Sequence, residues 1–421
     1  MTGSGFRVCR NLLIGLSLLS LCLIAPRTVG ADGPIQLLSS TTRNNFPEEL
    51  FFDIAVADDV SPIVSIQLIF RQRGEPSDTF ARPDFDPGHH VEATYRWYTK
   101  NISVPPGIPI EYHWVIVDEV GNQLRTDPET VYYDDVRFSW HVLANDEVAV
   151  FWQAGGEQVG QKLFDSAVAA LQRLSAATGA VVEYQIRIIM YASREAFRSA
   201  FPYLNQWVGG EAFSRASVIV GYAESGGSSL NWAVEQVIPH EISHILFFQA
   251  TFHPHSSPPR WLNEGLAILN EARSHSEEMA LVRQAVRRGE LLSLGEISGG
   301  FPADERKATL SYAESLSVVG FILERYGADA MATFLEAFKD GKATAAAVDH
   351  AFGLSLEELE NEWREYLSQL SPVETELPPL PVRIPRSFVP TLLGGGLLCC
   401  VGVFFVAAFV LGFVVLKRLR T

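Results

Sequence analysis

The sequence predicts a multidomain chain: an N-terminal all-β sandwich, then an α+β domain, then a single C-terminal transmembrane helix. Three observations lead there. Apolar and polar residues mostly alternate in short runs through residues 35–139. From Glu147 strand patterns alternate with helical ones and then give way to helix, and Leu392 to Leu416 is almost wholly apolar. At 421 residues, 47% hydrophobic and 19% charged, the chain has a globular composition and is long enough for two cores, which excludes disorder as its resting state.

Residues 1–31 read as a secretory signal peptide. Arg7 and Arg10 precede the apolar run Leu12 to Ile24, and Val29-Gly30-Ala31 supplies small residues for cleavage before Asp32. Residues 35–139 read as strands at Leu50–Ala57, Val64–Arg71, Val91–Tyr98, Ile110–Asp118 and Glu129–Trp140. Gly74, Pro87-Gly88, Pro105-Pro106-Gly107 and Gly121-Asn122 mark the turns between them. Strands at this spacing indicate a sandwich of immunoglobulin or fibronectin-like character, a fold with no fixed chemistry.

Residues 145–370 form the second predicted domain. Strands are expected at Glu147–Trp152, Tyr184–Tyr191 and Arg215–Tyr222, with helices at Gln158–Thr178 and Leu230–Gln249. Further helices follow from Leu262 to Leu370. Residues 371–390 hold six prolines and read as an extended linker, 391–416 as the transmembrane helix, and 417–421 as a cytoplasmic tail. Lys417, Arg418 and Arg420 would stay inside, so the expected location is the cell membrane, with the body of the protein extracytoplasmic.

All four cysteines, Cys9, Cys22, Cys399 and Cys400, fall in the two apolar ends, which excludes disulfides and thiolate metal sites from the body. The net charge of −16 leaves residues 32–416 with 27 basic against 49 acidic side chains, or −22. That acidity argues against nucleic acid as a partner.

The chemistry concentrates in His240-Glu241-Ile242-Ser243-His244. On a helix the two imidazoles stand one turn apart on one face, where both reach a single ion, with Glu241 beside them. Glu264 follows in Pro259-Arg260-Trp261-Leu262-Asn263-Glu264-Gly265-Leu266-Ala267. Two histidines and a carboxylate suit zinc (Zn2+), whose catalytic sites take three protein ligands and leave one position open. Glu271, seven residues on, either orients a ligand imidazole or is a solvated carboxylate.

HExxH followed by WLNEGLA resembles the gluzincin metallopeptidases, the peptidase MA-like group related to the aminopeptidase N family. The resemblance implies a thermolysin-like zinc metallopeptidase domain acting on a peptide or protein substrate. It implies metal ligands His240, His244 and Glu264, with Glu241 as the general base that activates water. The segment from Ser311-Tyr312-Ala313 to Val318-Val319-Gly320 is similar to the helix that carries the family's oxyanion-binding tyrosine, which points to Tyr312. Two features depart from the family pattern. No Gly-x-Met-Glu-Asn segment is present, so the resemblance does not extend to reading a free amino terminus, and Pro239 should distort the helix just before the first ligand. The strand Arg215–Tyr222, preceded by Gly209-Gly210-Glu211, is placed by position as the edge that pairs with an extended peptide. The rival expectation is a catalytically inactive cell-surface binding protein that works through the sandwich and retains the peptidase fold.

Overall fold

The computed structural model describes residues 33–369, apart from 101, 103 and 202–208. The first eight strands are β1 (Ile35–Asn45), β2 (Glu49–Asp58), β3 (Ile63–Gln72), β4 (Thr79–Ala81), β5 (His90–Tyr98), β6 (Ile108–Asp118), β7 (Gln123–Arg125) and β8 (Glu129–Tyr133). They form two antiparallel sheets, one ordered β1-β2-β5 and the other β4-β3-β6-β7, with β8 also paired to β6. Strict alternation drives the packing. Leu50, Phe52, Ile54 and Val56 of β2 and Ile66, Leu68 and Phe70 of β3 are buried, and Phe52 meets Phe70 across the sheets at 5.4 Å between ring centroids.

A third sheet begins the second half: β9 (His141–Ala144), β10 (Val148–Trp152), β11 (Ile186–Tyr191), β12 (Gly210–Phe213) and β13 (Val218–Tyr222), in the order β12-β13-β11-β10-β9. Its three inner strands are parallel, and β12 and β9 run antiparallel at the two edges. The long helix α1 (Gly156–Thr178) buries Leu163, Ala167, Ala170, Leu171 and Leu174 at three- and four-residue spacing against one face of this sheet. The remaining helices are α2 (Arg194–Ala200), α3 (Gly227–Trp232), α4 (Ile238–Thr251), α5 (Arg260–Asn270), α6 (Ser276–Arg288), α7 (Glu305–Lys339), α8 (Thr344–Phe352) and α9 (Leu356–Gln369). Gly327, with φ of 81° and ψ of 177°, breaks α7 into two segments.

Parallel strands need cover on both faces. Along β11, Ile186, Ile188 and Met190 join the helical core, whereas Ile189 and Tyr191 join the core of the sandwich, together with Val218, Val220 and Tyr222 of β13. The sandwich is therefore the second cover of the sheet. Polar contacts fasten the joint: buried Asp135 accepts from Tyr191 Oη at 2.7 Å and from the Arg137 guanidinium at 2.7 and 2.9 Å, and Arg187 reaches Asp134 at 2.7 Å.

The transmembrane helix of the expected fold class is overturned as a feature of this architecture. Residues 391–416 lie outside the described residues, as do 1–31, 371–390 and 417–421, and among the described residues no helix is long and apolar enough to cross a membrane. The 35-residue α7 shows why length alone does not suffice. Its exposed side carries Glu305, Arg306, Lys307, Glu324, Arg325, Asp329, Glu336 and Lys339, charges that a hydrocarbon layer does not tolerate. What the fold presents is a β part followed by a helical part.

Candidate metal centre

Pro239 shapes the approach to the site. Lacking an N–H, it cannot bond the carbonyl of Glu235, and residues Ala233–Val237 run as a π-helical turn between α3 and α4. The released carbonyls find other donors: Glu235 O accepts the Ala272 N–H at 2.7 Å, and Val234 O accepts Ser166 Oγ at 2.5 Å. The carbonyl of Pro239 itself accepts Ser243 Oγ at 2.9 Å and Asn270 Nδ2 at 3.0 Å. These bonds tie the start of α4 to the end of α5, the two helices that carry the three candidate ligands. Gly265 allows α5 to press against α7, because a Cβ there would stand 2.3 Å from the Ser315 carbonyl oxygen.

Helical spacing places His240 and His244 one turn apart, with ring centroids 4.9 Å from each other. His240 Nδ1 donates to Glu271 Oε1 at 2.9 Å, and His244 Nδ1 donates to Asn263 Oδ1 at 2.9 Å. Both Nε2 lone pairs are thereby turned inward, where they lie 3.8 and 3.9 Å from Glu264 Oε2. Four ligand atoms about 2.0–2.1 Å from a tetrahedral ion would stand about 3.3 Å apart, so this triangle closes on zinc with shifts of about half an ångström. Among the described residues, this is where three metal-ligating side chains come together, with all ligand atoms within 4.8 Å of one another. Donor type, tautomer and spacing fit the metal.

The surroundings are largely dry: His240 is 3% and Glu264 6% exposed. Burial by itself disfavours the His240 cation, but the bond to Glu271 and the charges of Glu271, Glu241 and Glu264 outweigh it and raise the imidazole pKa. Glu271 is in turn held by Arg273 at 2.5 Å, and Arg273 also reaches Glu278 at 2.7 Å. Glu271 works from an extended residue just past the end of α5.

Glu241 lies under β12: a Cβ on Gly210 would stand 3.7 Å from Glu241 Cγ and 2.4 Å from Val237 Cγ1, so only glycine lets the strand come this near. Among the described residues the sheet ends in β12 on this side, whereas β13 is flanked on both sides, which corrects the edge assignment made for Arg215–Tyr222. Tyr312, on α7, packs edge-on against Phe301 at 4.8 Å, and its hydroxyl is 3.4 Å from the Arg260 guanidinium. Arg260 also contacts Glu264 Oε1 at 3.3 Å.

Sequence reasoning assigned no role to Asn263 or Arg260. The signals were there: Asn263 directly precedes a ligand, and Arg260 stands four residues before it on the same helix.

Residues 166–369 match the family model of the Peptidase MA superfamily. This segment is a Peptidase MA superfamily domain. The family match makes this segment of peptidase type, and it contains the three candidate ligands, Glu241 and Tyr312. No curated protein matches the chain. Among solved structures, it is similar to an aminopeptidase N family protein from Idiomarina loihiensis, with 10% identity and a TM-score of 0.34 over 74% of this chain and 73% of that one. It is also similar to a polysaccharide deacetylase from Bacillus cereus, with 9% identity and a TM-score of 0.19 over 41% of this chain and 57% of the other. A purple acid phosphatase from yellow lupin seeds overlaps 44% of this chain and 34% of its own, with 9% identity and a TM-score of 0.19. The chain thus spans little more than half of the deacetylase, and overlaps this loose decide nothing about the fold.

Proposed function

We propose that the protein is an extracytoplasmic zinc metallopeptidase that hydrolyses peptide bonds in a peptide or protein substrate. The observation that carries this reading is the paired orientation of the histidines: Glu271 and Asn263 hold both Nδ1 atoms, so both Nε2 atoms meet Glu264 at 3.8 and 3.9 Å. His240, His244 and Glu264 would hold the metal. When bound, zinc would supply Lewis acidity and lower the pKa of a water molecule toward about 7. Glu241 takes a proton from the attacking water and returns it to the leaving amine, and the Tyr312 hydroxyl donates to the oxygen on which negative charge develops. Edge strand β12, running over Glu241, offers backbone groups to an extended chain. The signal-peptide pattern of residues 1–31 supports export, and the acidity of the body fits a protein that does not bind nucleic acid.

The test compares zinc content and cleavage of a peptide library for the wild type and Glu241→Gln. The expected result is one zinc per chain in both, with turnover reduced by about three orders of magnitude or more in the variant. Unchanged cleavage by Glu241→Gln would remove the base from the mechanism. Zinc binding without any wild-type cleavage would favour the inactive binding protein instead.

A further inference from the structure

Arg260 is a cation built into the rim of the metal centre, and nothing in the reaction proposed above employs it. Its position is fixed from three sides. Its backbone N–H donates to Ser298 O at 2.7 Å, and its guanidinium lies over the Phe301 ring at 4.6 Å from the centroid. The same guanidinium bridges Glu264 Oε1 and the Tyr312 hydroxyl, at 3.3 and 3.4 Å. Those two contacts are long for charge-assisted bonds, which run about 2.7–2.9 Å. Arg273, by contrast, closes on Glu271 and Glu278 at 2.5 and 2.7 Å, and it neutralises carboxylates that lie behind the ligands. Arg260 keeps about a quarter of its side chain exposed (24%).

The electrostatics make this placement informative. A guanidinium next to a ligand carboxylate repels a divalent ion held by that carboxylate, and in a water-poor site the repulsion is not screened away. An anion arriving with the substrate offsets it. The body of the protein carries −22 and repels acidic peptides at long range, so selection of an acidic substrate needs a local cation at the site. Distance then limits where the anion sits. The guanidinium is 3.4 Å from the hydroxyl proposed to touch the scissile carbonyl oxygen, and one hydrogen bond of about 2.7–3.0 Å separates hydroxyl from oxygen. An anion it recognises therefore lies at most about 9 Å from that oxygen, a span of about two to three extended residues, and the residues flanking the bond cut are the nearest to it.

We propose that Arg260 is a specificity-determining residue that selects peptides bearing a carboxylate within one residue of the scissile bond. The proposal rests on the peptidase reading above. The carboxylate has two possible sources, an acidic side chain or a free C-terminus directly after the bond, and the two are separable.

The experiment uses the full-length zinc-loaded protein and matched peptides of one scaffold. One arm places Glu or Gln on either side of the cleaved bond in amidated peptides. The other ends a neutral peptide one residue after that bond as free acid or as amide. The ratio of kcat/KM for carboxylate over neutral partner, taken within each enzyme, cancels any general loss. It is expected to be about 10–100 in one arm for the wild type and below about 3 for Arg260→Gln. Calorimetric binding of the same peptide pairs to Glu241→Gln, and to Glu241→Gln combined with Arg260→Gln, should show the same preference and the same collapse in Kd without turnover.

A wild-type ratio near 1 in both arms overturns the inference, as does a ratio that survives Arg260→Gln. A uniform loss on all peptides with an unchanged ratio assigns Arg260 to holding Tyr312 instead, and also overturns it. If the zinc-loaded wild type cleaves nothing, the peptidase reading itself has failed, which is a different outcome.

Discussion

Replacing Glu314 with glutamine should make the protein more stable in alkali. Glu314 sits on the buried side of α7, fully enclosed, and only one of its oxygens has a partner, the Leu292 N–H at 3.1 Å. The nearby cation, Arg364, is engaged by Glu360 at 2.8 Å and by the Leu292 carbonyl at 2.9 Å. Burial therefore dominates and pushes the Glu314 carboxyl from 4.5 up to about 8, against the smaller opposing effects of the Leu292 bond and Arg364. The folded state thus holds a proton that the unfolded state has already released above pH 4.5. Stability contributed at this position is full in acid and falls as pH rises from about 4.5 to 8. The loss is about 1.4 kcal/mol per pH unit, on the order of 5 kcal/mol in total. Glutamine has the shape of the protonated acid and does not titrate. Urea unfolding of wild type and Glu314→Gln at half-unit steps from pH 5 to 9, followed by tryptophan fluorescence, measures the difference. The two proteins should match near pH 5, diverge up to pH 8 in favour of the variant, and run parallel above it. A difference that stays flat across this range refutes the burial argument.

Gly265→Ala should cost about 1–3 kcal/mol or more, because the new methyl would meet the Ser315 carbonyl at 2.3 Å and Val319 Cγ2 at 2.6 Å and force α5 off α7; thermal unfolding reads this directly. Glu271→Ala removes the acceptor of His240 Nδ1 and should weaken zinc binding about 10–100-fold in a competition titration with a chelator, with the fold retained. Asp135→Ala strips Tyr191 and Arg137 of a fully buried acceptor at the joint between sandwich and sheet. It should cost about 3–5 kcal/mol and open the 134–140 segment to limited proteolysis before the rest of the chain unfolds.

Local patterns were legible wherever one residue's neighbours in sequence are also its neighbours in space. Alternation in Val64–Phe70 and Tyr112–Val117 became β3 and β6, and the i, i+4 histidines became adjacent rings because a helix turn brings them together. Pro239 did disturb its helix, one turn upstream, as a residue without an N–H must. Strand β1, by contrast, shows no apolar alternation: past the buried Ile35, Gln-Leu-Leu-Ser-Ser-Thr-Thr-Arg-Asn-Asn is an edge whose side chains are exposed or half-buried. The expected transmembrane helix was a reading of hydropathy alone, and no described helix fulfils it.

The sequence by itself picked out the candidate side chains: three that converge in the fold, the carboxylate beside them, and a tyrosine of the neighbouring helix. The pairing of His240 and His244 beside Glu241 follows from helical periodicity and the donor types zinc accepts, whereas Tyr312 follows from the resemblance to the gluzincins. Only the tertiary structure decided what surrounds them. Asn263 and Glu271 orient the imidazoles, Arg260 joins a ligand to Tyr312, β12 is the outermost described strand above Glu241, and the sandwich closes the back of the sheet. Apart from the Arg260–Glu264 pair, which one turn of α5 brings together, each of these is a contact between different elements. Such contacts depend on how helices and sheets pack, which no local period encodes.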